Sequence, residues 1–389
     1  MKISVLGAGV GGLSSAIALK QKGFDVDLYE RDPVPRDIGA GIVCWPNASF
    51  VLDELYLIDE IASVSGQPAS MDRLSSEGEP LGSLDIKRLN KLMGYPSYSI
   101  LRRDLMKILG SRARALGIQI HYSHELTGFE TLESGKVLAR FANGKTTLSE
   151  ILIGADGRMN SISRRFICSD NQPVYQHFIN WIGVFESRDE IFTDLSVKDF
   201  WGVGERFGIV PVNASTAYWA GGVAASQIGS RDPALFKSEL FSIFENWPDP
   251  IPKIIRETSP GAINKIYVHD HRPVEAWYRD NVLMIGDAAH APLPTSGQGA
   301  CQALEDAWHL ANLLGDEHLN IMDMFSRFVK LRYTKTAGII MSGRQLASAL
   351  FNVSPDFCKQ RNENSKRTDF DNVAAGMARS WREGLPLAG

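Results

Sequence analysis

The chain has 389 residues, 44% of them hydrophobic, and a formal net charge of -4. That length exceeds what one hydrophobic core usually serves, so two domains or one large elaborated α/β unit are expected, and the near-neutral charge removes the electrostatic case for nucleic acid or anionic lipid as the main partner. Cys44, Cys168, Cys301 and Cys358 lie far apart with no CxxC pair and no histidine cluster, which argues against a metal site or a disulfide framework and favours a reducing cytoplasm. No apolar stretch approaches the ~20 residues of a membrane span, and the N-terminus has no small-residue cleavage site of the signal-peptide kind, so no integral membrane contact is expected.

Residues 2–6 (KISVL) read as a short, buried parallel strand ended by glycine. A helix follows over 11–22, with Leu13, Ile17 and Ala18 on one face, and 25–29 (DVDLY) reads as the next strand, which completes a βαβ unit. The turn between strand and helix is Gly7-Ala-Gly9-Val-Gly11-Gly12. Gly7 permits the tight turn, Gly9 lets the backbone approach a pyrophosphate, and Gly12 lets helix and strand pack closely. The helix N-terminus then presents free N–H groups and a positive dipole end to the phosphates. Glu30, followed by Arg31, ends the second strand where ribose hydroxyls can donate to it. Its charge would oppose a 2′-phosphate, so FAD or NAD is expected and NADP is not.

The Pro/Gly-rich stretch RDPVPRDIGAGIVCWPNA reads as a functional loop. Residues 100–117 form a helix with Leu101, Leu105, Ile108 and Leu109 inward, followed by a strand in IQIHYS. A hairpin pattern spans 136–157, with Asn143-Gly144 as its turn. Aromatic and β-branched runs across 175–225 suggest an antiparallel sheet, 231–256 is helical, and 280–314 returns to a strand, a Pro/Gly loop and a long helix. The remainder is mostly helical. These patterns predict an α/β protein: a Rossmann-like, doubly wound nucleotide-binding domain (1–70, 98–172 and 278–345), interrupted by an antiparallel-sheet substrate domain (71–97 and 173–277), with a helical C-terminus over 346–389.

The later strand chooses between the two nucleotides. Gly286-Asp287 closes it, and a carboxylate there accepts a hydrogen bond from a polyol hydroxyl, which a flavin's ribityl chain has and a nicotinamide lacks. Gly297-Gln298-Gly299 and Ala300 open the long helix, whose N–H groups suit the N1/O2 edge of an isoalloxazine. Pro292 and Pro294 keep the loop extended beside the flavin. For His290 a structural hydrogen bond to backbone is expected. Arg206 is a charge on an otherwise apolar strand, so it should have an anionic partner, either a ligand or a carboxylate. Trp181, Trp201, Tyr218 and Trp219 are candidates for the wall of a substrate pocket, and core packing is the competing reading.

Taken together, these segments resemble the class A flavoprotein monooxygenases, the aromatic-ring hydroxylases. RDIGAGI resembles the family segment whose arginine and glycines approach FAD, which implies Arg36, Gly39 and Gly41. Arg102 matches the family arginine near the flavin ribose and pyrophosphate. GADG, with Asp156, resembles the motif tied to both FAD and NAD(P)H; here DGRMNSISR is one residue longer before Ser161 and Arg164 than the usual DGxxSxxR. The resemblance implies FAD as cofactor and NADH or NADPH as co-substrate. It further implies hydroxylation of a small planar aromatic or heteroaromatic molecule by O₂ through a flavin C4a-hydroperoxide, in a monomer or homodimer. A reductase or dehydrogenase without oxygen insertion is the alternative enzyme class. FINWIGVFE, the Arg206 strand and Tyr218 are also similar to FAD-dependent urate hydroxylases, which places Arg206 and Tyr218 at the substrate. Those enzymes carry an acid just before GQG where this chain has Thr295-Ser296, so a phenol or larger aromatic acid stands beside urate.

Overall fold

The computed structural model describes residues 1–35, 39–316 and 318–387. Strands form at Lys2–Leu6 and Asp25–Tyr29, with the helix Val10–Gln21 between them. They lie in a six-stranded sheet ordered Tyr278–Arg279, Val282–Met284, Ile151–Gly154, Lys2–Leu6, Asp25–Tyr29, Gln119–His121. All neighbours run parallel except the Tyr278–Arg279 edge. Strands covered on both faces must be apolar on both, and Lys2–Leu6 keeps only its first residue partly open.

The two faces are covered differently. Helices Val10–Gln21, Arg102–Ala115 and Gly299–Leu314 pack together on one of them, around Leu13, Ile17, Leu105, Leu109 and Leu304. On the other, Leu6, Tyr29, Leu152 and Val282 meet Val137, Ala139 and Phe141 of a three-stranded meander, with the short helix Ile162–Cys168 beside it. The meander is Leu126–Thr131, Val137–Phe141 and Thr146–Ser149, and Gly144 takes φ +79° in the turn read from Asn143-Gly144. The segment after the hairpin leaves it. Ile151–Gly154 is apolar throughout and joins the parallel sheet beside Lys2–Leu6.

A second, seven-stranded sheet runs in the order Asn264–Asp270, Val174–Glu186, Thr216–Ala224, Glu205–Pro211, Val197–Trp201, Ser70–Ser75, Pro80–Asp85. It is antiparallel apart from the Val197–Trp201 and Ser70–Ser75 pair, where two distant chain segments meet. Its outer face is a core of Trp181, Phe207, Ile209 and Trp219 under helices Phe236–Phe244 and Ile251–Glu257. Those two helices replace the single helical run expected over 231–256, because Pro248 and Pro250 break it. The inner face turns to the nucleotide-binding sheet, and Val210 packs on that unit's core. One continuous helix, Ile321–Leu350, crosses position 345, and Pro355–Lys366 and Phe370–Arg382 follow.

Candidate functional site: a dinucleotide cleft and a sheet face

The glycine turn is built as its spacing requires. Gly7 takes φ +95°, and a Cβ there would lie 2.4 Å from the Ala155 carbonyl oxygen. At Gly12 a Cβ would sit 1.8 Å from the Gly7 oxygen, a distance no atom tolerates, so helix and strand meet there at the closest approach in the turn. The α-carbon of Gly11 faces the methyl of Ala303, 3.4 Å from where a Cβ would be, and so serves helix packing. Nothing lies within 4 Å in front of Gly9, which caps the helix with no side-chain acceptor on the first N–H groups. Those donors face a cleft of about 740 Å³ lined by Gly7, Gly9, Glu30, Arg31, Arg102 and Asp156 among others. Glu30 accepts from the N–H of Ala8 at 2.7 Å and of Asp32 at 3.0 Å, which fixes its carboxylate. With about four lone-pair sites on two oxygens, it retains capacity for hydroxyl donors. Arg36 lies outside the described residues.

Arg102 opens its helix with its stem over Gly39, where a Cβ would be 2.6 Å from Arg102 Cδ. Burial pulls its pKa down, and the Asp287 carboxylate opposes that, so the two groups share one field. Asp287 itself begins the short helix Asp287–His290 after Gly286 (φ +56°), only partly buried. Asp156 does different work. Its carboxylate accepts from Ser161 Oγ at 2.7 Å and from the N–H groups of Ile162 and Ser163 at 2.8 and 3.0 Å, so it caps the helix Ile162–Cys168. Burial raises its pKa against those hydrogen bonds. Arg164, on that helix, donates to the carbonyls of Ala288 and Ala289 at 3.0 and 3.2 Å. The longer DG segment therefore braces the Gly286-Asp287 segment.

In the loop before the long helix, Pro294 and Gly297 are exposed, Gly299 and Ala300 are half-buried, and Gly297 takes φ +62°. Thr295, just before the GQG segment, donates to the Gly343 carbonyl at 2.9 Å. Gln298, at the helix start whose N–H groups suit an isoalloxazine edge, turns its side chain inward. It is buried, its Oε1 accepts from Asn47 and Gln302 at 2.9 Å each, and its backbone N–H is taken by Ser296 Oγ. His290 is likewise structural, but its side chain pairs with a carboxylate rather than with backbone: Nε2 meets Asp306 Oδ2 at 2.5 Å.

Behind the loop lies a network that the sequence reading missed. Gln302, Glu305, Asp306 and His309 fall at i, i+3, i+4 and i+7 of the long helix and are all buried. Arg332 of the next helix is fully buried between Glu305 and Asp306, and Lys335 adds a 2.8 Å pair to Glu305. Burial would raise the Asp306 carboxyl, but His290 and Arg332 overcome it and hold it well below the carboxylate range. Arg332 and Lys335 lower Glu305 in the same way. The polar stripe was the available signal, with Arg332, Lys335 and Thr336 as its complement.

On the seven-stranded sheet, strand alternation decides which side chains meet the nucleotide unit. Tyr218 does: a Cβ on Gly41 would lie 2.0 Å from its Cδ1. Burial keeps its phenol far above the usual value, hence protonated. Trp181 and Trp219 do not. They point to the outer face, where Trp219 stacks on Phe207 with ring centroids 5.6 Å apart. Trp201 shares the inner face but is buried between Arg73 and Arg361, 4.9 and 5.3 Å from its ring centre. Arg206 has its anionic partner, because Nε donates to Asp199 Oδ1 at 2.6 Å. Among the described residues its terminal nitrogens form no hydrogen bond, and 27% of the side chain stays accessible.

Comparison with known proteins agrees with this geometry. The family described as FAD binding domain matches residues 1–319. The aurachin C monooxygenase/isomerase of Stigmatella aurantiaca is 30% identical over 321 residues, covering 82% of this chain and 81% of that protein. A FAD-dependent urate hydroxylase of Mycolicibacterium vanbaalenii is 28% identical over 383 residues, covering 97% and 95%. Among solved structures, Klebsiella pneumoniae HpxO complexed with FAD and uric acid superposes with a TM-score of 0.90 at 26% identity, covering 99% of this chain and 97% of that one.

Proposed function

The chain belongs to the FAD binding domain family, and on that premise we propose that it is an FAD-dependent monooxygenase that consumes NADH or NADPH and hydroxylates a planar, anionic aromatic or heteroaromatic molecule. The single observation that carries the substrate side is the inner sheet face, where Tyr218 closes on Gly41 and Arg206 keeps free donors. The cofactor's place fits the residues present. The uncapped helix start at Gly9 suits a pyrophosphate, Glu30 a ribose, and the partly open Asp287 a ribityl chain. FAD, when bound, supplies the redox chemistry, accepting reducing equivalents from NAD(P)H and activating O₂.

The protein's own task is to bind, orient and keep water out. Arg206, tethered through Nε to Asp199, offers its two terminal nitrogens to an anionic edge of the substrate in a bidentate geometry. Tyr218, held protonated, offers a neutral hydroxyl on the side next to Gly41. The likeness to FAD-dependent urate hydroxylases favours a purine, and a Thr295 hydroxyl in place of a carboxylate beside GQG favours a phenolic or aromatic acid. The test is Arg206→Lys. A lysine keeps the charge and loses the planar fork, so the apparent substrate KM should rise about tenfold, and part of the NAD(P)H consumed should appear as H₂O₂. Unchanged KM and coupling would reduce Arg206 to an ion-pair partner of Asp199. Reduction of substrate without O₂ uptake would favour the reductase alternative.

A further inference from the structure

The inner sheet face has a gap that neither Arg206 nor Tyr218 fills. Val210 pairs with Tyr218 and Arg206 pairs with Gly222, so the two functional side chains stand four residues apart along one strand direction. At about 3.4 Å per residue, that is ~14 Å between backbone levels, and the bond from Arg206 Nε to Asp199, which pairs with Gly208, brings the guanidinium to the Gly208 end of this stretch. Between them, on the same face, registers place Gly208 opposite Ala220, with Ile182 beside Ala220 and Asp199 on the other side of Gly208. Gly208, Ala220 and Ile182 all remain partly accessible, whereas Phe207, Ile209, Trp181 and Trp219, which alternate with them, are buried. A Cβ on Gly208 would meet no atom nearer than the Ala220 oxygen at 4.0 Å. Its backbone φ is not in the left-handed region that favours glycine, so no turn or close packing demands a glycine here. At the Arg206 end, Phe351 closes the face over Gly222, where a Cβ would be 2.9 Å from its ring, and it stacks on Phe178 at 4.1 Å.

We propose that Gly208 is a specificity-determining residue: it leaves the floor of a slot between Tyr218 and Arg206 bare, so that the ring system of an anionic aromatic substrate lies flat on the strand backbone. This rests on the proposed substrate side of the site. A glycine in a strand that is neither bulged nor strained marks a close approach by something else. Here that is the face of a planar ligand, whose anionic edge meets Arg206.

The experiment uses the FAD-loaded enzyme, Gly208→Ala and Gly208→Val, and three probes: urate, 4-hydroxybenzoate and 1-hydroxy-2-naphthoate. Binding is read as the change in the visible flavin spectrum on titration. The FAD content and melting temperature of both variants should match the parent, since the added methyl meets open space. For every probe that binds the parent, Kd should rise severalfold in Gly208→Ala and more than tenfold in Gly208→Val, with the two-ring probe affected most. Equal Kd values in parent and both variants overturn the proposal, as does a parent flavin that none of the three probes perturbs. NAD(P)H-driven O₂ uptake, measured separately, distinguishes the two levels. Binding that is insensitive to Gly208 in an active monooxygenase refutes the slot alone, and Gly208-sensitive binding without any O₂ uptake refutes the monooxygenase reading alone.

Discussion

Replacing Arg332 by methionine tests whether the buried network holds the Gly297-Gln298-Gly299 loop from behind. The guanidinium is fully buried and makes contacts to Asp306 Oδ1 at 2.7 Å, Glu305 Oε2, the Gln302 carbonyl at 3.1 Å and Gln302 Oε1 at 2.7 Å. Methionine fills much of the volume but leaves two carboxylates in a site with less positive charge. Removing one partner from a buried ion pair costs about 3–5 kcal/mol. For 389 residues, an unfolding entropy of roughly 2.1 cal/mol/K per residue gives ~0.8 kcal/mol/K, so the melting temperature should fall by about 4–6 °C. Gln302 Nε2 donates both to Gln298 Oε1 at 2.9 Å and to Glu305 Oε1 at 3.0 Å, so the disturbance reaches the GQG segment. Release of flavin fluorescence on heating should therefore shift by as much as the circular dichroism transition. The pH dependence supplies a second reading. The Asp306 and Glu305 carboxyls are depressed in the folded state, so their stabilisation is complete above the unfolded value near 4 and is lost as pH falls below it. The variant has less of that stabilisation to lose, so its deficit should be largest above about pH 5 and shrink below ~4. A melting temperature within about 1 °C of the parent, or a deficit that grows on acidification, would refute the reasoning.

Two further outcomes follow from the same geometry. Asp287→Ala should raise the Kd for FAD roughly 10- to 100-fold in a fluorescence titration, because a hydrogen bond to a charged acceptor contributes about 1.5–3 kcal/mol; an unchanged Kd would remove Asp287 from the cofactor site. His309 is pushed down to about 4 by burial, with Arg332 adding to the shift. Its neutral form is favoured in the fold, so stability is full above the unfolded value near 6.5 and declines by ~3 kcal/mol as pH falls from there to about 4. His309→Gln should flatten unfolding free energy across that window in denaturant titrations, and an unaltered slope would contradict the assignment.

What was legible in the sequence is what local chemistry decides. Gly7 and Gly12 could be assigned roles because a turn and a close helix contact make demands on single residues, and the Cβ distances of 2.4 and 1.8 Å are those demands. The strand Asp25–Tyr29 was legible for the same reason, as was Gly144 in its turn. Trp219 failed as a pocket wall although the information was present. Tyr218 and Trp219 are adjacent in one strand, so alternation puts them on opposite faces, and only one can face the nucleotide-binding unit. The direction of the Gln298 side chain could not be read locally. It is set by Asn47, 251 positions away. The polar stripe Gln302, Glu305, Asp306 and His309 would pass for a solvated helix face, because spacing alone does not say whether water or another helix lies opposite. The answer is in Arg332 and Lys335, whose own spacing is complementary.

That complement changes what the C-terminal segment means. Lys335 Nζ, besides pairing with Glu305, donates to the carbonyls of Trp381 at 2.7 Å and Glu383 at 2.9 Å, and the Trp381 ring lies 5.2 Å from Trp45. Trp45 in turn sits against Gly297, where a Cβ would be 3.2 Å from its Nε1. The helix Phe370–Arg382 therefore presses on the Gly297-Gln298-Gly299 loop along two routes: one of charge, through Lys335 and Glu305 to Gln302 and Gln298, and one of packing, through Trp381 and Trp45 to Gly297. Loop backbone in a Pro/Gly-rich segment has little rigidity of its own, since glycine adds conformational freedom that something else must remove. A stretch with no motif supplies that restraint here. The site is thus finished by residues whose chemistry, read one at a time, names no function.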